Sequence, residues 1–408
     1  DHRLDSIIPY IALLPHLYNT STFCPRRMAR TAHIAVSGLG LALLAGSGCP
    51  LGTAAFSVAP SQSQSLSAPQ RHMSASATRL YNVPPPSMDD KEAVQETSDR
   101  EQPPASFFEL QENSARAAQL ALDDGHTLIE VEFPPLPASV LEMDDVSAYE
   151  VAKANLNLAT DFAKSFAAKG KKVAILFPDE AEARIGIENQ GTDTPYPNVS
   201  ISSLRKSDPD DDRVFKPDQL FLNLLGSGSN GAVKPVEDTD MYIIIVASAQ
   251  ELPDVEELEQ MEPGKPIVFY NLKLDVLRGD LGAPAFPSKE FQDRFLSRVK
   301  PVYYLRTRQY SRSTAKPPFM VNYQGCLFRS YPGEFQTLID TNNGRYRRVV
   351  GNKVRPALGG FKEELTEELK RLGVIEEENK TLNFLRTGYK TTTWWEEERE
   401  GASDAWRT

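Results

Sequence analysis

Three runs of this chain, KVAILF (172–177), MYIIIVA (241–247) and IVFYN (267–271), are apolar almost without interruption. A strand with one wet face alternates apolar and polar residues. A continuous apolar strand needs cover on both faces, as in a parallel sheet between two helical layers. The segments between the runs supply such helices. FFELQENSARAAQLAL (107–122) puts Leu110, Ala117, Ala118, Ala121 and Leu122 on one face, and Gly125 suits the turn that ends it. SAYEVAKANLNLATDFAKSFAAK (147–169) starts with Ser147 three residues before Glu150, the spacing of a capping box, and Gly170 stops it. Shorter helices are expected over 255–261 and 288–298, and further strands over 127–133, where Leu128 and Ile129 begin the apolar side, and over 199–204. From Val302 the pattern changes to alternating segments without helices, with Asn342-Asn343-Gly344 as a tight-turn signal. FKEELTEELKRL (361–372) closes the pattern as an amphipathic helix. The fold expected is therefore α/β. A mostly parallel, Rossmann-like three-layer sheet carries helices on both faces, extended by a C-terminal antiparallel meander and a terminal helix.

Gly226-Ser-Gly-Ser-Asn-Gly231 has the G-x-G-x-x-G spacing of a dinucleotide-binding turn. That chemistry needs a strand before the glycines and a helix after them, so that the helix N-terminus meets the pyrophosphate. Here a short helical pattern precedes the glycines, and AVKPVEDTD leads on to a strand. The stretch reads as a connector. No G-x-x-x-x-G-K-[ST] motif occurs, so a phosphate-cradling P-loop is excluded, and no cofactor is expected.

In an open parallel sheet, ligands bind beyond the carboxyl ends of the strands. Asp179 and Glu182 follow KVAILF, Ser248 follows MYIIIVA, and Asn271 ends IVFYN. Asp179 and Glu182 have two readings: paired carboxylates for acid–base work or Mg²⁺, or a helix cap with a solvated face. Arg329, in the turn FRSYPG, could hold an anion or pair with a surface acid. Trp394, Trp395 and Trp406 are the three tryptophans of the chain and all lie in its last stretch. Indoles are seldom left in water, so these should dock on the domain or on a partner. No residue is assigned a catalytic role.

The formal net charge is −11, unevenly spread. No Asp or Glu occurs between Ser6 and Met88, and only two of the 56 acidic residues precede Asp89. The acidic remainder disfavours nucleic acid as a partner. The acid-free zone reads as addressing. Residues 1–27 are expected to be non-native upstream sequence, with Met28 as initiator. Residues 28–55 carry a short apolar run, IAVSGLGLALLA, that fits a signal peptide and is too short for the roughly 20 residues of a bilayer span. Residues 56–81 are rich in Ser, with Arg and no acid, as in a transit peptide. Signal peptide, Phe56 at the join and transit peptide together resemble the bipartite plastid presequences of algae with secondary plastids; plain secretion ahead of a disordered linker is the alternative. Residues 82–104 read as a disordered linker and 105–408 as a single α/β domain with an aromatic tail. Beyond the presequence, Cys326 and His126 are the lone cysteine and histidine. Internal disulfides and metal sites built on several Cys or His are thereby excluded, so no metal is expected.

Several segments, QLALDDGHTLIEVEFPPLP, FAAKGKKVAILFPDEAEA, PIVFYNLKLD, FRSYPGEF and GYKTTTWWEEE with AWRT, together resemble a plastid family built on a domain of unknown function. That family includes the low-photosystem-II-accumulation assembly proteins and the C-terminal extension of chloroplast adenylate kinases. It has no agreed catalytic motif, so no role passes to a residue here. The resemblance implies a plastid protein of the stroma or the stromal face of the thylakoid. Its expected work is non-enzymatic: binding protein partners, photosystem II assembly components among them, with peripheral thylakoid contact and no transmembrane segment in the mature chain. The alternative is a nucleotide- or small-molecule-binding enzyme using the strand-end crevice.

Overall fold

The computed structural model describes residues 102–141, 146–207, 231–280, 288–314, 317, 319–341, 345–375 and 392–408. The presequence, most of the linker, Gly226–Asn230 and the Asn342–Gly344 turn lie outside the described residues. In chain order the elements are α1 (Phe107–Asp123), β1 (Leu128–Glu132), α2 (Ala138–Leu141), α3 (Ala148–Ala167), β2 (Val173–Phe177), α4 (Glu180–Gln190), β3 (Val199–Ser203), β4 (Arg205–Lys206) and β5 (Ala232–Val233). They continue with β6 (Met241–Ile244), α5 (Leu252–Met261), β7 (Ile267–Tyr270), α6 (Leu274–Asp280), α7 (Lys289–Arg294), a 3₁₀ turn (Leu296–Arg298), β8 (Lys300–Ser313), β9 (Met320–Ser330), β10 (Phe335–Asp340), β11 (Tyr346–Asn352) and α8 (Leu358–Arg371).

Nine strands form one sheet in the order β11-β10-β9-β8-β1-β7-β6-β2-β3. From β8 to β3 every neighbouring pair is parallel, and from β8 to β11 every pair is antiparallel. The expected meander thus extends the main sheet, and β8 is shared by both halves. β2, β6 and β7 are buried along their whole length, as their unbroken apolar runs require. One core cluster joins α1 and α3 to Ile129, Val131, Ile175 and Val268 on one face. A second joins Leu252, Val255 and Phe291 to Leu176, Tyr242 and Phe269 on the other. A third seats Phe361, Leu365 and Leu369 of α8 on Tyr323, Leu327 and Ile339 of the meander.

Local chemistry accounts for the element boundaries. Ser147 and Glu150 close a full capping box at the start of α3. β6 stops three residues short of the expected strand because Val246 adopts a φ of 64°, which breaks the ladder. Gly231 has a φ of 107°, and a Cβ there would lie 2.6 Å from the Lys206 carbonyl. It leads into the two-residue β5, which pairs with β4 and was not among the expected strands; the expected strand, β6, follows it with no helix between.

Gly325 sits where α8 crosses β9. A Cβ there would meet Leu365 Cδ1 at 2.4 Å and the Leu338 carbonyl at 2.9 Å. Gly325→Val is therefore expected to destabilise the fold by about 1–3 kcal/mol through overpacking. A urea midpoint unchanged from wild type would contradict this contact.

Candidate functional site

The strand order places a topological switch between β2 and β6. From β2 the chain moves outward through α4 to β3, and from β6 it returns inward through α5 to β7. Such a point opens a crevice beyond the strand ends. Here it is a groove of about 230 Å³, lined by Tyr149, Leu156, Phe177, Glu182, Ile185 and Val246 among others. Tyr149 is 51% exposed and Ile185 47%, so both stand at its rim. Val246 brings a left-handed backbone that a β-branched residue rarely adopts, and such strain concentrates at sites that use it.

The polar residues expected to serve a ligand at these strand ends are mostly engaged in the fold. Asp179 caps α4, its side chain accepting from the Glu182 N–H at 2.9 Å. The Ser248 N–H and hydroxyl both donate to Glu251. Asn271 is buried on its own φ of 52°; its Oδ1 accepts from the Phe133 N–H at 2.8 Å and its Nδ2 donates to Asn155 Oδ1 at 3.1 Å. Glu182 differs. Its Oε2 is buried in the groove wall without a hydrogen-bond partner. Burial, then the charges of Asp179 and Glu251, raise its pKa above the ordinary carboxylate value.

A larger polar assembly lies elsewhere. On the face of the sheet that carries α5, α6 and α7, β1 presents Glu130 and Glu132, and β8 presents Tyr304, Arg306 and Arg308. Asp275 of α6 descends onto them. Its Oδ2 accepts from Tyr304 Oη at 2.6 Å, Arg355 Nη2 at 2.5 Å, Arg306 Nη1 at 3.0 Å and Arg308 Nη2 at 3.4 Å. Arg278, wholly buried, stands 3.6 Å from both Asp275 and Glu130. Four guanidiniums so close to one carboxylate outweigh the burial that favours its neutral form, and they hold Asp275 well below the usual carboxylate range. Glu130 and Glu132 go the other way. Burial raises both, and Glu132 reaches about 7, with the neighbouring Glu130 charge adding to the effect. Trp395 roofs the assembly, its ring 5.5 Å from the Arg278 guanidinium and 5.8 Å from that of Arg355. This network has a sequence signal that reading for apolar runs passes over: Glu-x-Glu in TLIEVEF and Arg-x-Arg in YLRTRQ, each at the two-residue period of a strand face.

The aromatic tail docks on this domain. Trp395 and Trp406 are buried, with ring centroids 5.2 Å apart. The Trp406 N–H donates to the Ser297 carbonyl at 3.2 Å, and Trp394 lies under Lys289 and Arg399. Arg329 is 4% exposed, and among the described residues it meets no carboxylate. Among the described residues no three His, Cys, Asp or Glu side chains converge as a metal centre needs. No described helix is long and apolar enough to cross a membrane.

A family model for a domain of unknown function, DUF1995, matches residues 104–363. The chain belongs to that family. No curated protein matches it. The matched DUF1995 range runs from α1 into the first turns of α8, so it contains the switch-point groove and every ionised member of the buried network. The tail lies beyond the range, yet Trp395 covers the network from outside. The DUF1995 domain therefore carries its charged interior itself and is closed over by a segment the family model does not include.

Proposed function

We propose that the protein is a non-enzymatic plastid factor that binds a protein partner during photosystem II assembly, and that the switch-point groove is where the partner docks. One observation carries the choice of binding over catalysis. Asp179, Ser248 and Asn271, the polar groups an enzyme would use at these strand ends, are committed to a helix cap, a turn and a backbone hydrogen bond. What faces solvent instead is apolar, with Tyr149 and Ile185 at the rim and Glu182 in the wall. Such a surface takes an apolar side chain of a partner, with a neighbouring donor for Glu182. The acid-free, Ser-rich leader supports a plastid address, and the resemblance of TLIEVEF, KVAILF, IVFYN and FRSYPG to the plastid assembly family supports the pathway.

Ile185→Asp puts a charge on an exposed helical position, so the domain is expected to fold as wild type. Affinity purification of the tagged protein from plastids should then recover photosystem II assembly subunits at least tenfold less than wild type. Equal recovery would remove the groove from the binding surface. Normal photosystem II levels after depletion of the protein would remove the pathway.

A further inference from the structure

β8 and β9 outrun their neighbours. β1 pairs with β8 as far as Tyr304, and β10 pairs with β9 from Phe328 to Gly325. Five further pairs, from Gln309 with Gln324 to Ser313 with Met320, continue as a two-stranded arm. Among the described residues no third strand flanks it. At about 3.3 Å per residue the arm is roughly 16 Å long. β8 is parallel to β1, so the arm leaves the sheet at the carboxyl ends of the parallel strands, the end at which the switch-point groove opens.

The base of the arm is covered on one face. Phe361 of α8 packs on Tyr310, which stacks on Tyr323, and Val321 is buried with them. The tip is not covered. Phe319 is 66% exposed and Met320 59%. The Thr314 N–H donates to the Phe319 carbonyl at 3.0 Å, which closes the tip and fixes the backbone that carries both side chains. Large apolar side chains exposed next to each other at the end of an arm add little to the core and suit a contact outside it.

The charge around the arm suits an anionic target. No Asp or Glu occurs from Arg294 to Gly333, although the chain as a whole carries a net charge of −11. Arg306 and Arg308 of this stretch are engaged with Asp275. Two cations at the surface remain beside the arm: Arg345, just before β11, and Lys362 of α8, whose Nζ lies 5.6 Å from the centre of the Tyr310 ring. Asp340, at the same end of β10, is buried, and the exposed Glu363 offsets one charge. The two apolar residues are consecutive, and successive side chains of an extended chain point to opposite faces. A protein groove takes side chains from one face, whereas a fluid interface takes both. Apolar side chains backed by cations bind a bilayer surface that bears anionic lipid.

We propose that the tip of the β8–β9 arm docks on such a surface, with Phe319 and Met320 entering the boundary between headgroups and acyl chains and Arg345 and Lys362 adding their charge behind it. The contact is separate from the partner-docking groove.

Co-sedimentation of the whole chain with phosphatidylcholine vesicles, with and without phosphatidylglycerol, tests this. Partitioning should be about tenfold stronger with phosphatidylglycerol and should weaken as salt is added. Phe319→Asp with Met320→Asp, at exposed positions, should lower it about tenfold. Met261→Asp, at a position 45% exposed at the other end of the sheet, should leave it unchanged. Arg345→Gln with Lys362→Gln should lower it about threefold. Phe319→Trp reads the tip alone: bromine on the lipid chains should quench the added indole, while the docked tail tryptophans keep their emission. Wild-type partitioning in the double Asp variant, or an added indole that brominated lipid does not quench, would overturn the proposal and leave an acidic protein surface as the target of the arm. Equal binding to both kinds of vesicle, or no loss in the double Gln variant, would overturn the assignment to anionic lipid.

Discussion

Asp275→Asn is expected to cost the fold about 3–5 kcal/mol, a large share of the 5–15 kcal/mol by which a domain is stable. The substitution keeps the shape of the side chain and removes one charge. That charge is shared by Arg278, Arg306, Arg308 and Arg355, of which Arg278 and Arg355 are fully buried. Without it four guanidiniums face one another with Glu130 and Glu132 as the remaining acids, and burial disposes both of those to be neutral. The pH dependence has a definite sign. The arginines depress the folded-state pKa of Asp275, so its contribution is complete above the unfolded value near 3.9 and fades as pH falls below it. Wild type and Asp275→Asn should therefore differ most at neutral pH and converge in acid. Urea unfolding at pH 7 and at pH 3 measures both, and a difference under 1 kcal/mol at pH 7 would show that the network is not held by this carboxylate.

Glu132→Gln should act in the opposite direction. The folded-state value of Glu132 is near 7, raised from 4.5 chiefly by burial. Between those values the folded chain holds a proton that the unfolded chain has released, so stability falls as pH rises through that window. The span corresponds to about 3 kcal/mol, and the side chain is buried, so solvent does little to reduce it. Gln keeps an oxygen for the Lys273 N–H, which Glu132 Oε2 accepts at 2.9 Å, and does not titrate. The variant should match wild type near pH 4.5 and exceed it by about 3 kcal/mol at pH 8. Other titrating groups cancel in the difference. Parallel stability curves for the two proteins from pH 4.5 to 8 would mean that Glu132 is ionised in the fold.

The parallel half of the sheet was legible because burial on both faces leaves a composition that nothing else imitates, as in KVAILF and IVFYN. Ser147 with Glu150 marked the start of α3 because a cap is local chemistry. A groove does open beyond Phe177, and its lining is mostly apolar where polar groups were expected to face a ligand. Whether Asp179 meets a ligand or a helix N-terminus depends on a hydrogen bond three residues away, and the sequence permits both. Asn271 serves β1 from the end of β7, a contact across 138 residues that no local pattern encodes. The buried network escaped for a related reason: Glu130, Asp275, Arg306 and Arg355 come from four distant segments, and each alone reads as an ordinary surface charge. Arg329 was singled out for an anion or a surface acid, and the fold buries it where no described carboxylate reaches it.

β1 lies in the middle of the sheet, but it is made near the beginning of the domain. Its neighbours, β7 and β8, both come far later in the chain. The antiparallel strands β8 to β11 can pair with their nearest neighbours as soon as they exist, whereas β1 must wait for most of the domain to be synthesised. Closing such distant pairs is slow, and an unpaired apolar strand invites aggregation in the interval. Glu130 and Glu132 are ionised in the unfolded chain near neutral pH and give the waiting strand one charged face. The same two carboxylates that burden the finished core thus keep its central strand in solution until its partners arrive.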